Sequence, residues 1–501
     1  MIINALQELG PCLSTTLASH LIKYYGLSPD AARQRISRAP KEMRRLSTLP
    51  FARGAAFVYL KDQYGTEDYW DKLYEAINSV EGTYSRALAA VLCREVMPTH
   101  HFHIACGAPI AQKRHIASSA ALQRLIKAGV LIETSLQGLG PCVTTRQTIQ
   151  RPDLDAITAG VRSRLMAESV LLDSIKEWLR NLALASFNSV TLRGSVSDPL
   201  PNVGTFNWDL TAPSYSTALA ERRKGELKPG FIACDVLLTE NVSAIAIKPF
   251  LHKVRTLQAL SNMGRVMFIV IGTRFDNDAF SELRSAGVIP ATPESLFGKE
   301  IAAAFRDLLK TLKDAVQGVV DSAKFDDVIT RLGKLEGTLG NMRGSFFELL
   351  IAEVVRKTFP GEVKLNKICS GEDGTAEVDV WAVKEGVSAR FIECKGMAPG
   401  TLVDDQEIGL WLTTRIQRVR HYLKNTLQWK GPKPQFELWT SGILSAEAQV
   451  RIEKTRSANS AKFELIVVGP AEIRKAVKVV GDEPLLKTLE HHFIPISQPL
   501  S

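Results

Sequence analysis

Two apolar stretches in the last third of the chain decide its fold, Ala376-Glu-Val-Asp-Val-Trp-Ala-Val383 and Ala389-Arg-Phe-Ile-Glu-Cys-Lys395. Both are rich in β-branched and aromatic residues, which predicts two strands, and the short segment between them predicts a tight hairpin. Side chains alternate faces along a strand, so Glu393 and Lys395 share one face while Cys394 points to the other. We expect Asp379 to lie across from Glu393.

Two carboxylates and one ammonium at the edge of a sheet predict a reaction centre. Asp, Glu and Lys are rarely buried unless they are paired, and neighbouring carboxylates repel each other unless a cation relieves them. A hard divalent cation accepts carboxylate oxygens as ligands and lowers the pKa of a bound water, which can then attack a phosphodiester. Lys395 could orient that water or stabilise charge developing on the phosphate.

The spacing D-x13-E-x-K across two adjacent strands resembles the core of PD-(D/E)XK, or restriction-endonuclease-like, nucleases. The resemblance covers about 160 residues, and Val378 stands where the name-giving proline would be. It implies Asp379 and Glu393 as metal ligands, together with the backbone carbonyl of Cys394, and Lys395 as the residue that assists the nucleophilic water. It also implies a catalytic role for Glu348 in the preceding helix. Arg415 and Arg418, on the long helix after the motif, would face phosphates.

The segment before this region has a similar texture of helices and short apolar strands, which predicts an internal duplication. We expect a helix from Glu168 to Ala185 and strands at 231–238 and 243–248. Asp235 then takes the place of Asp379, and Ala246 stands where Glu393 would be. This predicts a degenerate first copy, although the neighbouring Trp208-Asp209 could supply a ligand from elsewhere.

Residues 1 to about 150 predict two winged helix-turn-helix units. In the first, Gly26 stops a helix, Ser28-Pro29-Asp30 starts a short basic helix, and the segment 51–60 predicts a strand pair around Arg53-Gly54. As a DNA-binding unit it would present Arg33, Arg35 and Arg38 to the major groove. Winged helices also serve as protein–protein modules, so that alternative stays open.

The fold class is therefore multidomain α+β: winged helix-turn-helix units followed by two α/β endonuclease-like domains. The predicted boundaries are 1–75 and 76–155 for the winged helices and 160–300 for the degenerate copy. A helical connector at 301–340 and the nuclease domain at 341–501 follow.

Composition is that of an ordinary globular protein, with 45% hydrophobic and 23% charged residues among 501. The formal net charge of +9 suits a polyanionic partner. Seven cysteines without a CxxC predict reduced thiols. The first residues lack a basic region before an apolar run, and no run approaches the ~20 residues of a membrane helix. We expect a cytoplasmic protein without membrane partners.

Together these features predict a Mg²⁺- or Mn²⁺-dependent DNA endonuclease, which the resemblance associates with restriction or anti-phage defence. A homodimer would let two centres cut both strands, and other defence-system proteins are further expected partners. Two alternatives remain open. One is a DNA-binding regulator or scaffold with a vestigial nuclease fold, and the other is a nuclease acting on RNA or on branched or single-stranded DNA.

Overall fold

The computed structural model describes residues 1–494 apart from 39, 52–53, 114, 186–188, 195–198, 224–225, 261–262, 317–319 and 334–338. The chain is a mixed helix-and-sheet, multidomain α+β protein. It divides into two compact units. The N-terminal unit comprises 1–134, 141–154 and 185–290, and the C-terminal unit comprises 135–140, 155–184 and 291–501.

Residues 1–153 contain small sheets and short helices. The helices are α1 (Ile2–Leu9), α2 (Ser14–Tyr25), α3 (Pro29–Ser37), α4 (Glu67–Ser79), α5 (Thr83–Leu92), α6 (Thr99–Ala105), α7 (Ser118–Lys127) and α8 (Arg146–Ile149). The strands are β1 (Cys12–Leu13), β2 (Met43–Leu46), β3 (Phe57–Leu60), β4 (Val96–Pro98), β5 (Leu131–Leu136) and β6 (Gly140–Thr145), in sheets ordered β1-β3-β2 and β4-β6-β5.

The basic helix α3 begins as its sequence predicts. Gly26, in the left-handed region at φ 65°, ends α2, and Ser28 caps α3 by accepting the Ala31 N–H at 3.2 Å. The predicted strand pair within 51–60 is wrong: β3 pairs with β2, which lies well before that segment. Met43 is buried in the same core as Ile36, which draws the strand there. Arg53 lies outside the described residues.

Residues 154–298 contain a long helix and the first five-stranded sheet. The helices are α9 (Leu154–Asn181), α10 (Ala244–Gln258), α11 (Asn277–Ser285) and α12 (Pro293–Phe297). The strands are β7 (Thr191–Leu192), β8 (Asn202–Val203), β9 (Phe206–Asn207), β10 (Leu210–Ser214), β11 (Glu221–Arg223), β12 (Glu226–Lys228), β13 (Gly230–Leu237), β14 (Val266–Gly272) and β15 (Val288–Ala291). The sheet order is β7-β10-β13-β14-β15.

One predicted element in this region is wrong, and a second is present with different bounds. The expected strand at 243–248 is the start of α10, because Ser243 caps a helix by accepting the Ala246 N–H at 3.3 Å. The buried residues of α10 recur with helical spacing, so its alternating apolar start misled the strand prediction. The helix expected at 168–185 is α9, which begins fourteen residues earlier and belongs mostly to the C-terminal unit.

Residues 299–494 complete the C-terminal unit. The helices are α13 (Lys299–Val316), α14 (Ser322–Leu332), α15 (Leu339–Thr358), α16 (Asp405–Leu410), α17 (Ile416–Asn425), α18 (Ala446–Asn459), α19 (Pro470–Val480) and α20 (Glu483–His492). The strands are β16 (Glu362–Gly371), β17 (Gly374–Lys384), β18 (Ser388–Lys395), β19 (Gln435–Thr440) and β20 (Glu464–Val468), in that order across one sheet. A π-helical turn, Trp411–Arg415, joins α16 to α17.

The C-terminal sheet is antiparallel across β16-β17-β18 and parallel across β18-β19-β20. Trp381, Phe391 and Phe436 form a buried aromatic row in its core. The helix α15 packs on β16, β17 and β18, so any residue on its inward face lies near the β17–β18 hairpin. Among the described residues, no helix is both long and apolar enough to cross a membrane.

Candidate functional site

The β17–β18 hairpin brings Asp379 to Glu393 as predicted from the strand pattern. Val380 pairs with Ile392, so Asp379 and Glu393 are the next residues along the same register. One carboxylate oxygen of Asp379, Oδ2, accepts the backbone N–H of Cys394 at 2.7 Å. This hydrogen bond fixes the Asp379 carboxylate beside the E-x-K segment.

Glu393 is the most deeply buried acid of the motif, with a side chain only 3% exposed. Lys395 places its Nζ 3.2 Å from Glu393 Oε1, in agreement with the prediction that both side chains share a face. Lys395 also forms an ion pair with Glu407, an exposed residue of α16. The ammonium is thus held between a buried carboxylate and a solvent-facing one.

The two arginines predicted to face phosphates have other partners in this structure. Arg415 ends the π-helical turn and forms an ion pair with Oε1 of Glu393, the same oxygen that Lys395 approaches. Arg418 donates to the Thr375 backbone carbonyl at 2.8 Å. The π turn adds a residue to the helical repeat, and such turns are frequent at functional sites.

Glu348 lies on α15 with its side chain 20% exposed and two partners. The Asn366 amide donates to Glu348 Oε2 at 3.3 Å, and Arg162 Nη2 lies 3.8 Å from the same oxygen. Sequence reasoning missed both partners. Arg162 lies on α9, far away in sequence, and is itself buried. Asn366 has a positive φ of 50°, which no sequence pattern indicated.

Burial and mutual repulsion shift the protonation of these groups. Burial, with repulsion by Glu393 and Glu348, raises the pKa of Asp379 well above its usual value. Burial raises the pKa of Glu348 to about 7, against the opposing effects of Arg162 and Asn366. For Lys395, burial acts to lower the pKa, but Glu393 and Glu407 outweigh it and the pKa is raised. For Asp379 and Glu348, burial therefore outweighs the groups that favour the charged form.

The donor set fits a hard divalent cation through two carboxylates and a main-chain carbonyl. Carboxylate and carbonyl oxygens are the ligands that Mg²⁺ takes, usually with only one or two carboxylates and several waters. Asp379 and Glu393 supply the carboxylates, and the Cys394 carbonyl directly follows Glu393 on β18. Arg415 and Lys395 both contact Glu393 Oε1, so a cation would bind through Oε2, share Oε1 or displace Arg415.

Glu348 does not close a compact trio of side-chain ligands with Asp379 and Glu393. Within the described part of the chain, a single set of three His, Cys, Asp or Glu residues has ligand atoms all within 4.8 Å, and it lies elsewhere in the unit. A role beside the metal ligands, in which Glu348 holds a proton near neutral pH, suits this geometry better than direct ligation.

The N-terminal sheet carries a related carboxylate pair, but with different members from those predicted. Leu210 pairs with Cys234, so Asp209 faces Asp235. Asp209 Oδ2 accepts the Val236 N–H at 2.7 Å, as Asp379 accepts that of Cys394. Asp209 therefore takes the place of Asp379, and Asp235 that of Glu393.

The assignment of Asp235 to the place of Asp379, and of Ala246 to that of Glu393, was wrong. It assumed that the strand after 231–238 was the next apolar run, whereas that run is α10. The partner strand, β10, precedes β13 in the chain and follows Trp208-Asp209, the pair considered only as an outside source of a ligand.

The three arginines proposed for the major groove lie on or just beyond α3. Arg33 and Arg35 are exposed on the helix, and Arg38 occupies its C-terminal cap position, also exposed. Arg33 has an exposed acidic neighbour, Asp30, at 3.7 Å. The surface is basic and open, which is compatible with phosphate contact.

Comparison with known proteins adds little to this geometry. No family model matches the chain, and a search of curated proteins found no match. A protein of unknown function, AF1548, is 19% identical with a TM-score of 0.19, covering 27% of this chain and 66% of that one, just under two thirds. The restriction endonuclease FokI bound to DNA is 10% identical with a TM-score of 0.19, covering 87% of this chain and 77% of that one. Both TM-scores are too low to support an argument.

Proposed function

We propose that the chain is a divalent-metal-dependent nuclease of the PD-(D/E)XK class that hydrolyses phosphodiester bonds in DNA. The observation that carries the proposal is the register of β17 and β18. It sets Asp379 beside Glu393, with Lys395 Nζ 3.2 Å from the Glu393 carboxylate. Two carboxylates and an ammonium on two adjacent strands suit phosphoryl chemistry.

The residues divide the work as follows. Asp379, Glu393 and the Cys394 carbonyl would hold Mg²⁺ or Mn²⁺. The bound ion would supply a Lewis acid and a water of lowered pKa. Lys395 orients the attacking water and stabilises charge developing on the phosphate. Glu348, with its pKa raised to about 7, can hold or release a proton near neutral pH.

The proposal extends to how the protein meets its substrate. We take residues 1–75 and 76–155 as winged helices, with Arg33, Arg35 and Arg38 contacting duplex phosphates or bases. Replacing all three with Ala should reduce the slope of log affinity against log salt by up to about 2.7, since each lost phosphate contact removes about 0.9. An unchanged slope would assign this helix to a protein partner.

Restriction or anti-phage defence, a cytoplasmic location and a homodimer with two centres complete the proposal. Mass measurement in solution, with and without DNA, tests the dimer. A persistent monomer that nicks a single strand would remove the dimer from the proposal and leave the chemistry intact.

A second candidate has one observation in its favour. Arg415 forms an ion pair with Glu393 Oε1, where a metal ligand is expected. If that contact is permanent, the C-terminal domain is a vestigial nuclease fold and the chain a DNA-binding regulator or scaffold.

Plasmid cleavage by the full chain decides between these candidates. We expect wild-type protein to nick or linearise plasmid in Mg²⁺ or Mn²⁺, and EDTA or Lys395→Ala to abolish cleavage while DNA binding measured in Ca²⁺ persists. Lys384→Ala, which removes an exposed lysine of β17, is the matched control and should cleave normally. Equal cleavage by Lys395→Ala and wild type would refute the proposed centre. Binding without cleavage in any metal would favour the regulator, and single-stranded, branched and RNA substrates run in parallel define the substrate class.

A further inference from the structure

A second cluster of metal-binding side chains lies where α14 meets α20 in the C-terminal unit. The Thr488 hydroxyl donates to the Ser322 backbone carbonyl at 2.9 Å, in a buried contact that sets the register of the two helices. One turn further along each helix, Asp326 therefore faces His491 and His492. The contact holds the three side chains together independently of the β17–β18 hairpin.

The ligand atoms of these residues converge on one point. His491 Nδ1 lies 2.9 Å and His492 Nε2 2.8 Å from the same oxygen, Asp326 Oδ1. The two imidazoles stack with centroids 4.3 Å apart and planes at 30°. This is the trio whose ligand atoms all lie within 4.8 Å of one another in the described part of the chain.

The rest of α20 supports a cation at this point. His491 and His492 are its last two residues, and the partial negative charge of a helix C-terminus favours positive charge there. Phe493 and Ile494, buried directly after the helix, anchor this end. The pair is therefore fixed against the core rather than fraying.

Access from solvent is also provided. A cavity of about 1030 Å³ lies beside the cluster and is lined by Asp326, Glu483, Lys487, Glu490 and His491, among others. Lys487 lies 3.9 Å from Asp326 Oδ2 but is 77% exposed, so it can move aside without cost to the core. Water in the cavity could complete the coordination sphere.

We propose that Asp326, His491 and His492 form a binding site for a divalent transition metal of the zinc class, distinct from the Mg²⁺ centre. Two imidazole nitrogens and one carboxylate oxygen suit Zn²⁺, Co²⁺ or Ni²⁺, whereas Mg²⁺ prefers oxygen ligands alone. Three protein ligands leave a position for water. The bound ion clips α20 to α14 and so secures the C-terminal end of the domain.

The test uses Co²⁺ as probe on the full chain after EDTA treatment. We expect one equivalent to bind with a visible absorption that a large excess of Mg²⁺ does not remove, and Zn²⁺ to displace it. Saturating Zn²⁺ should raise the melting temperature by about 5 °C or more at one hundred times its Kd. His491→Ala and Asp326→Asn should each weaken Co²⁺ binding by at least about tenfold.

His421→Ala is the matched control. His421 forms an ion pair with Asp373 on an exposed surface outside the trio, so its loss should leave Co²⁺ affinity unchanged. His491 is itself half exposed, so its replacement should leave the circular dichroism unchanged. Absence of a Co²⁺ signal, its removal by Mg²⁺, or equal affinity in the His491 and His421 variants would each overturn the site. This test does not measure plasmid cleavage, so failure of the zinc-class site is distinguishable from failure of the proposed nuclease function, on which it does not depend.

Discussion

The two five-stranded sheets of this chain have the same strand arrangement. They differ in the lysine that forms an ion pair with the carboxylate of the central strand. In both sheets the strands are ordered as they occur along the chain. The central strand pairs antiparallel with the strand before it and parallel with the strand after it. Each has a helix between its third and fourth strands and another between its fourth and fifth. Even the exits match, since Pro293 and Pro470 each open the helix that follows the last strand. This supports an internal duplication.

The difference lies in the cation that meets the acids. In the N-terminal sheet, Lys253 of α10 is completely buried and donates to Asp235 Oδ2 at 2.5 Å, Asn207 O at 3.0 Å and Ile104 O at 3.2 Å. Its Nζ also lies 4.0 Å from the centroid of the Trp208 ring. An ammonium with three acceptors and an aromatic face is a fixed structural cation.

In the C-terminal sheet the cation sits on the strand itself. Lys395 contacts Glu393 and reaches outward to the exposed Glu407. One copy thus has a buried charge pair, and the other has an ammonium held between a buried and an exposed carboxylate. The two copies therefore differ in the element that carries the lysine, a helix in the N-terminal copy and the strand itself in the C-terminal one.

The largest expected contrast comes from amidating the equivalent aspartates. Asp379→Asn should reduce cleavage about a thousandfold, because it removes a charged ligand, and should leave the metal-free melting temperature equal or higher, because the pKa of Asp379 is raised well above its usual value. Asp209→Asn should retain cleavage per folded molecule but lower the melting temperature, since Asp209 pairs with the buried Arg193 at 2.8 Å. Cleavage assays and thermal melts in EDTA measure both. Equal loss of cleavage in Asp379→Asn and Asp209→Asn would contradict the expectation that only the C-terminal sheet carries the cleavage site.

The next effect is on stability alone. Lys253→Met should cost about 3–5 kcal/mol of unfolding free energy, because it leaves Asp235 buried without its ammonium. Adding Asp235→Leu should recover part of that loss, since an apolar pair has no charge to desolvate. Chemical denaturation of the two variants and wild type provides the measurement. A Lys253→Met variant as stable as wild type would mean that Lys253 is not the structural cation of this copy.

Sequence alone predicted the placement of Asp379, Glu393 and Lys395 better than that of the N-terminal acids, for a physical reason. Asp379, Glu393 and Lys395 lie on consecutive strands joined by a short hairpin, so period-two alternation fixes their faces. Asp209 directly precedes β10 and Asp235 lies on β13, and a long excursion through β11 and β12 separates these strands, so no local pattern links the two acids. The helix α10 begins with an alternating apolar sequence that resembles a strand, although its buried residues have helical spacing.

The surroundings of the site were beyond sequence reasoning. Arg162 contacts Glu348 from α9, a helix that is far from Glu348 in sequence and joins the same compact unit through tertiary contacts. Asn366 adopts a positive φ within β16. Arg415 turns toward Glu393 at the end of a π-helical turn that propensity does not foretell. Such contacts depend on packing rather than on spacing along the chain.

A smaller effect tests whether Glu348 belongs to the C-terminal centre. Its folded pKa of about 7 exceeds the usual 4.5, so its contribution to stability is fully present below about pH 4.5 and lost as pH rises to about 7. Over that window we expect the metal-free protein to lose on the order of 3 kcal/mol through this group. Glu348→Gln should remove that part of the pH slope, measured by denaturation in EDTA. Glu385→Gln, on the exposed hairpin, is the control, and an equal slope in both variants would contradict the shift.

The smallest expected effect concerns Arg415, the arginine that contacts Glu393 from the π-helical turn. Arg415 ends the π turn and contacts Glu393 much as Lys253 contacts Asp235, but Arg415 is 39% exposed whereas Lys253 is buried. Because the Arg415 side chain is open to solvent, leaving Glu393 costs it little desolvation, so a divalent cation can displace it. Arg415→Ala should therefore shift the Mg²⁺ midpoint for cleavage two- to tenfold lower, by roughly 0.4–1.4 kcal/mol, while Arg418→Ala leaves it unchanged. A midpoint that rises would mean that Arg415 helps to build the metal site. If neither wild type nor Arg415→Ala cleaves in any metal, the acids of this copy form a structural ion pair like those of the N-terminal copy.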